Sequence, residues 1–172
     1  MRRQDKEITD PRVLNQILEK SEICRLGLVE NNEAYIVPVN FAYADNCIYI
    51  HSALMGRKME IMRNNNRVSF EMELHHEIIK SDIPCGWTAQ YRSLMGKATV
   101  QIDNSPEMKK TGLDLIMKKY GAEMELNYDE SILARMTIIV LNITEITGKQ
   151  SGNNRETGKQ ILINCLSHSV KL

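Results

Sequence analysis

The sequence has no net charge and no long apolar run. Lys and Arg together number 22 among 172 residues, and Asp and Glu also number 22, so no overall positive field attracts nucleic acid or an anionic membrane. No apolar run approaches the roughly 20 residues that span a bilayer, and the charged first residues lack the apolar segment of a signal peptide. We therefore expect a cytoplasmic protein that binds neither nucleic acid nor membrane.

Closely spaced cysteines are also missing. The four cysteines form no C-x-x-C pair of the kind that structural zinc sites use, and they are Cys24, Cys47, Cys85 and Cys165. His75 and His76 lie between two glutamates, but neighbouring residues on an extended chain point in opposite directions, which argues against a shared ion. The sequence therefore predicts reduced thiols and no metal site.

Hydrophobic residues make up 42% of the chain and charged residues 26%, which is typical of a soluble domain with one core. Alternating apolar residues predict six strands, at residues 23–29, 34–41, 47–52, 67–74, 92–102 and 136–146. Apolar stripes and capping residues predict helices at residues 11–20, 56–65 and 106–120. Residues 75–88 fit neither period and predict a long loop. This order indicates a mainly β fold, an antiparallel barrel with flanking helices.

The stretch from residue 35 to 62 carries the most chemistry. Its second strand leads through the small residues Ser52, Ala53 and Gly56 into a predicted helix. The cations Arg57 and Lys58 lie at the start of this helix. These are the components of a phosphate site, because small residues allow close approach and a helix start offers free N–H groups. The alternative is that the Gly-Arg-Lys triplet is solvated surface. Pro38 cannot donate to a ladder, so main-chain groups near it are expected to be free.

Several short motifs together resemble one known family. They are Val37-Pro38-Val39-Asn40-Phe41, Ile50-His51-Ser52-Ala53 with Gly56 and Lys58, Trp87-Thr88, Tyr91-Arg92-Ser93 with Gly96, and Thr147-Gly148-Lys149-Gln150. In combination they resemble the FMN-binding split-barrel proteins related to pyridoxamine phosphate oxidase, nearest to the nitroimidazole-resistance branch. The resemblance covers residues 1–150, which we expect to be one FMN-binding domain. Residues 151–172 are expected to be a tail of uncertain order that repeats Thr-Gly-Lys-Gln.

The resemblance implies a six-stranded split barrel and a homodimer with FMN at each subunit interface. By position, the phosphate would lie near Ser52, Ala53, Arg57 and Lys58, and the pyrimidine edge of the ring near Val39, Asn40 and Phe41. His51 matches the family histidine near the flavin and is the candidate catalytic residue. Four more residues would approach the site, some of them from the other subunit: Trp87, Tyr91, Arg92 and Ser93.

The implied activity is that of an FMN-dependent reductase that passes electrons to a small acceptor, such as a nitroaromatic. The alternative is a flavin- or haem-binding module without turnover, with His51 as a haem ligand. Structural roles also remain open, because His51 could be a structural histidine, Trp87 a packing residue and Arg92 the partner of a carboxylate. No G-x-G-x-x-G motif identifies a nicotinamide site, so the sequence names neither the electron donor nor the acceptor.

Overall fold

The computed structural model describes residues 3–123 and 126–152. These residues form eight strands and four α-helices, with two short 3-10 helices at Gln4–Lys6 and Pro84–Gly86. In chain order the elements are β1 Glu7–Ile8, α1 Pro11–Lys20, β2 Cys24–Glu30, β3 Glu33–Val39, β4 Ala42–Ala44, β5 Cys47–Ala53, α2 Arg57–Asn64, β6 Arg67–Ile79, β7 Thr88–Asp103, α3 Pro106–Lys119, α4 Glu130–Leu133 and β8 Met136–Ser151. Residues 153–172 of the predicted tail lie outside the described residues.

The strands form one antiparallel sheet that closes on itself. Its order is β3-β2-β6-β7-β8-β5-β4, and β1 pairs with β8. β3 and β4 follow each other in the chain but lie at opposite ends of this order, so the short connection between them joins the two edges of the sheet. The predicted mainly β, antiparallel split barrel with flanking helices is confirmed. The described strand count is eight instead of six, because β1 and β4 are added: the predicted strand at 34–41 ends at Val39, and Ala42–Ala44 forms a separate strand.

The predicted helix starts at α1 and α3 are confirmed by their caps. The Asp10 carboxylate accepts a hydrogen bond from the Arg12 N–H at 2.9 Å, and the Ser105 hydroxyl accepts one from Met108 N–H at 3.3 Å. A proline follows each cap at the first helical position, where its missing N–H costs nothing. α2 begins differently, after Gly56 at a φ of 120° and without a side-chain cap.

The predicted loop at residues 75–88 is wrong. β6 continues to Ile79 and pairs with β7 as far as the Ile79–Thr88 pair, so only residues 80–87 connect the two strands. A register shift lies between Leu74 and His76. This bulge moves the alternating pattern by one residue, and a fixed period of two therefore places the end of the strand at Leu74.

Gly96 is required by close packing and not by a bulge. A glycine inside a strand often marks a bulge, but the irregularity of the β7–β8 ladder lies one residue later, between Lys97 and Ala98. A Cβ atom at Gly96 would contact the buried Phe70 ring and would lie 2.7 Å from the Glu145 carbonyl oxygen. The Phe70 ring thus occupies the space that a side chain at residue 96 would fill.

Replacing Gly96 should therefore lower stability, with Gly27 as the matched control. Gly96→Ala should reduce the free energy of unfolding by about 1–3 kcal/mol, because a backbone oxygen and a buried ring must move. A Cβ atom at Gly27, also in a strand, would have its nearest contacts at 3.7 Å, so Gly27→Ala should change stability by less than about 1 kcal/mol. Denaturant unfolding at one protein concentration measures both, and equal losses would contradict this packing account.

Candidate functional site

The end of β5 carries the predicted phosphate-side residues on two different faces. Ser52 is buried beside Thr137 of β8, whereas His51 and Ala53 are exposed on the opposite face. This split follows from strand alternation. The chain then turns through Gly56 into α2, which places Lys58 near His51.

Lys58 is a half-buried cation without a partner among the described residues. It makes no hydrogen bond or ion pair there, and burial lowers the pKa of its ammonium. The pKa of the His51 imidazole is lowered too, first by desolvation and then by the charge of Lys58. The His51 side chain is exposed, so a ligand can reach it even though the Lys58 charge acts on its imidazole. An anion near Lys58 would supply the missing counter-charge.

The start of α2 adds main-chain donors to this cation. The Gly56 carbonyl oxygen accepts the N–H groups of Met59 and Glu60. Within the described chain, the N–H groups of Arg57 and Lys58 have no acceptor, and no side chain caps the helix. Free N–H groups at a helix start favour an anion, so the arrangement suits a phosphate group.

Arg57, the second predicted cation, already has partners. Its Nε atom lies 3.0 Å from a Glu30 carboxylate oxygen, and its guanidinium carbon lies 4.7 Å from the centre of the Tyr35 ring. An exposed ion pair of this kind contributes little stability, so a ligand can compete for the guanidinium. The phosphate role of Arg57 stays a prediction, and Lys58 is the better placed of the two.

The connection between β3 and β4 forms the second part of the candidate site. Asn40 is exposed, and its main-chain N–H and C=O make no hydrogen bond to any described residue, as predicted for this proline-containing segment. The prediction is wrong for the Phe41 N–H, which donates to the Tyr120 hydroxyl oxygen at 3.2 Å. Val39 ends β3 as a buried residue opposite Cys24, so of residues 39–41 it is Asn40 whose N–H and C=O both lack a partner in the described chain.

Lys119 and Tyr120 at the end of α3 were not predicted as part of the site. The Lys119 ammonium lies 3.8 Å from the centre of the Phe41 ring and donates to the carbonyl oxygens of Leu18 and Glu19 at 3.2 and 3.0 Å. Burial lowers its pKa to about 8. In the sequence, only the apolar stripe of α3 marks Tyr120, and nothing in that pattern indicates a contact with residue 41.

The remaining predicted residues lie on the β6–β7 hairpin. The Trp87 indole N–H donates to the Ser81 carbonyl oxygen at 2.7 Å, and the side chain is 51% exposed. Tyr91 is half-buried, with the Lys149 ammonium 5.8 Å from its ring centre. Arg92 is half-buried next to it, and Ser93 is buried. These four residues thus form one group at the start of β7.

The sheet register separates this group from His51. His51 pairs with Ile138 of β8, and Ile138 pairs with Asp103 at the end of β7. Tyr91 precedes Asp103 by twelve residues on the same strand, which is about 40 Å along its length. The strand pairing within one chain therefore keeps the Trp87–Ser93 group apart from His51.

A groove of about 550 Å³ lies on the outer face of the sheet, away from the predicted flavin residues. Ile36 and Met95 line it and are 68% and 42% exposed. Two ion pairs also line it, Arg25–Glu71 at 3.1 Å and Lys97–Glu145 at 2.9 Å. Exposed apolar side chains next to paired charges are more typical of a protein contact surface than of a cofactor pocket.

The described residues contain no group of three or more His, Cys, Asp or Glu side chains placed to hold a metal ion. In the same residues, no helix is long and apolar enough to cross a membrane. Cys24, Cys47 and Cys85 are free thiols, and of the three only Cys85 is exposed.

Comparisons with known proteins agree on one family and fold. The family model for pyridoxamine 5'-phosphate oxidase matches residues 10–150. A candidate 5-nitroimidazole antibiotic resistance protein from Bacteroides thetaiotaomicron is 26% identical, with a TM-score of 0.75 over 84% of this chain and 86% of that chain. A search of curated proteins finds no match.

Two more distant structures share the fold. An FAD- and haem-binding protein from Mycobacterium smegmatis is 17% identical, with a TM-score of 0.75 over 86% of this chain and 74% of that chain. A flavocytochrome from Azotobacter vinelandii is 13% identical, with a TM-score of 0.73 over 92% and 77% of the two chains.

The coupling between His51 and Lys58 predicts a measurable titration shift. Lys58→Met should raise the pKa of His51 part of the way towards its ordinary value of 6.5, because the positive charge is removed and the desolvation remains. NMR titration of the His51 ring measures this, and Lys20→Met at the exposed end of α1 should leave it unchanged. An unchanged His51 pKa in Lys58→Met would contradict the coupling.

The lowered pKa of His51 also fixes the sign of its effect on stability. The unfolded chain takes up this proton at a higher pH than the folded chain does. Acidification below the ordinary histidine pKa therefore lowers the free energy of unfolding, and this cost disappears at higher pH.

Proposed function

Because the chain belongs to the pyridoxamine 5'-phosphate oxidase family, we propose that it binds FMN and acts as an oxidoreductase of the nitroimidazole-resistance type. Its acceptor would be a small molecule, such as a nitroaromatic compound. The observation that carries this proposal is Lys58, a half-buried cation without a partner in the described chain, beside an open helix start and an exposed histidine. The reaction would take place in the cytoplasm, where thiols such as Cys85 stay reduced.

The residues present fit the two polar ends of FMN. A terminal phosphate would take the Lys58 ammonium and the free N–H groups at the start of α2 as charge-assisted donors. The pyrimidine edge of the ring has both donors and acceptors, which match the free N–H and C=O of Asn40. Ala53 is small and exposed, and it leaves room beside His51.

FMN, when bound, supplies the redox chemistry, and the chain supplies orientation and a proton. The lowered pKa favours the neutral form of the His51 imidazole. To give a proton to the reduced acceptor, His51 would first take up a proton from water and act as the imidazolium, which its lowered pKa makes a stronger acid. Lys58 would hold the phosphate, whereas the lowered pKa of His51 in the flavin-free chain comes first from desolvation and only then from the Lys58 charge.

We also propose a homodimer in which each site takes residues from both copies. The Trp87–Ser93 group lies about 40 Å from His51 along β7, so a second copy is the simplest way to bring them together. The β6–β7 hairpin exposes apolar side chains that a partner would cover: Ile78, Ile79, Ile83 and Trp87. A two-stranded hairpin with such side chains is marginally stable alone, which favours its burial in an interface.

The second candidate is a flavin- or haem-binding module without turnover. The exposed, neutral His51 favours it, because a neutral imidazole nitrogen is the form that binds haem iron. The fold is also that of proteins described as binding FAD and haem or as a flavocytochrome. The absorption spectrum of the purified protein separates the two, because flavin and haem have different visible bands.

Removal of the Lys58 charge should weaken the binding of FMN but not of riboflavin. Lys58→Ala should cost about 1.5–3 kcal/mol in FMN affinity, which is the scale of a lost charge-assisted hydrogen bond. Riboflavin has no phosphate, so its affinity should stay the same. Titrations of both flavins, with Lys20→Ala as the control, measure this. If the parent binds riboflavin as tightly as FMN, the phosphate site proposed here does not exist.

The loss of His51 should affect turnover more than binding. His51→Ala should change FMN affinity by no more than about tenfold, since one neutral contact contributes about 1 kcal/mol. Reoxidation of the reduced flavin by a nitro acceptor should slow by about 100-fold or more if the imidazole supplies the proton. Stopped-flow reoxidation measures the rate, and a normal rate in His51→Ala would favour the module without turnover.

A further inference from the structure

The connection between β3 and β4 is held from one side by the end of α3. Phe41 is fully buried, and its N–H group donates to the Tyr120 hydroxyl oxygen at 3.2 Å. The same hydroxyl donates to the Glu22 carbonyl oxygen at 2.6 Å. One side chain thus joins the connection to the segment that follows α1, and both hydrogen-bonding functions of its oxygen are in use.

Lys119 holds the Phe41 side chain in a similar way. Its ammonium contacts the face of the Phe41 ring and donates to two carbonyl oxygens at the end of α1, those of Leu18 and Glu19. A cation on an aromatic face, together with two carbonyl contacts, fixes the ring relative to both helices. Phe41 is therefore held at its amide by Tyr120 and at its ring by Lys119, two consecutive residues at the end of α3.

The residue next to this anchored position is Asn40, whose main-chain N–H and C=O are free within the described chain. Neither Asn40 nor Phe41 belongs to a strand, so no ladder fixes the direction of the peptide groups there. The Phe41 N–H belongs to the same peptide group as the Asn40 C=O. A hydrogen bond at one end of a planar peptide group sets the direction of the other end.

We propose that Tyr120 is a positioning residue that aims the Asn40 carbonyl at the ring edge of the bound flavin. Its hydroxyl accepts the Phe41 N–H on the side of the peptide group opposite to the Asn40 carbonyl and so fixes the peptide plane. Lys119 prevents the Phe41 ring from turning. Tyr120 does not touch the flavin and acts only through this peptide group. The inference rests on the proposed function, because the ligand whose ring edge is recognised is the flavin named there.

A comparison of FMN, which carries a phosphate, with riboflavin, which does not, separates the positioning role of Tyr120 from the phosphate role of Lys58. Tyr120→Phe should raise the dissociation constants of FMN and riboflavin by the same factor, about tenfold, because both carry the same ring edge. Lys58→Ala affects FMN alone. Tyr128→Phe is the matched control, because it too removes a tyrosine hydroxyl that donates a hydrogen bond, in this case to the Asp114 carboxylate of α3 at 2.8 Å. It should leave both constants unchanged.

Amide hydrogen exchange tests the anchor without any flavin. In the flavin-free parent, the Phe41 N–H should exchange slowly, and Tyr120→Phe should speed its exchange by about tenfold while amides in the β5–β8 ladder stay protected. With FMN bound, the fine structure of the long-wavelength absorption band reports hydrogen bonds at the ring edge, and it should change in Tyr120→Phe and not in Tyr128→Phe. A merely structural role for Tyr120 would alter stability and leave this band unchanged.

The remaining outcomes of the flavin titrations decide whether Tyr120 positions the Asn40 carbonyl. If the parent binds FMN and Tyr120→Phe binds both flavins as tightly as the parent, the positioning role is wrong and the proposed function stands. If the parent binds neither flavin, the proposed function fails and this inference fails with it. Should Tyr120→Phe not fold, Lys119→Met takes its place. It should raise both constants by a common factor of about three, and an unchanged pair of constants would overturn the proposal.

Discussion

The fold depends on the way in which the chain crosses from one edge of the sheet to the other between Val39 and Ala42. β3 pairs with β2 up to Val39, and β4 pairs with β5 from Ala42 on, so two residues complete the barrel. Pro38 has no N–H to offer a further strand, which suits a position near the end of an edge strand. The crossing is stable because Phe41 is buried and α3 supplies the hydrogen bond that the sheet cannot.

The same crossing links the fold to the candidate site. It leaves Asn40 exposed with free main-chain groups, and the strand that it pairs with next leads to His51 and then to Lys58. The long β7–β8 ladder does the opposite, since it holds the Trp87–Ser93 group far from His51 within one chain. For this reason we propose that a binding site with both groups is built by two copies of the chain.

Features that depend on local sequence could be predicted, and those that depend on distant contacts could not. Alternation and capping gave α1, α3 and the main strands, because their signals lie within a few neighbouring residues. The outer part of the β6–β7 hairpin, residues 75–79 and 88–91, was missed because the bulge after Leu74 changes the phase of the pattern. The contact between Phe41 and Tyr120 spans 79 residues, and no sequence period carries information across that distance.

A subunit-mixing experiment tests most directly whether a flavin site is shared between two copies. Lys58→Ala and Trp87→Ala chains, each weak in FMN binding alone, are unfolded, mixed in equal amounts, refolded and titrated with FMN. If each site takes Lys58 from one copy and Trp87 from the other, mixed dimers regain one intact site, and about a quarter of all sites should bind with the parent affinity. If no tight sites return, or if the parent is a monomer that still binds FMN, the shared site is wrong.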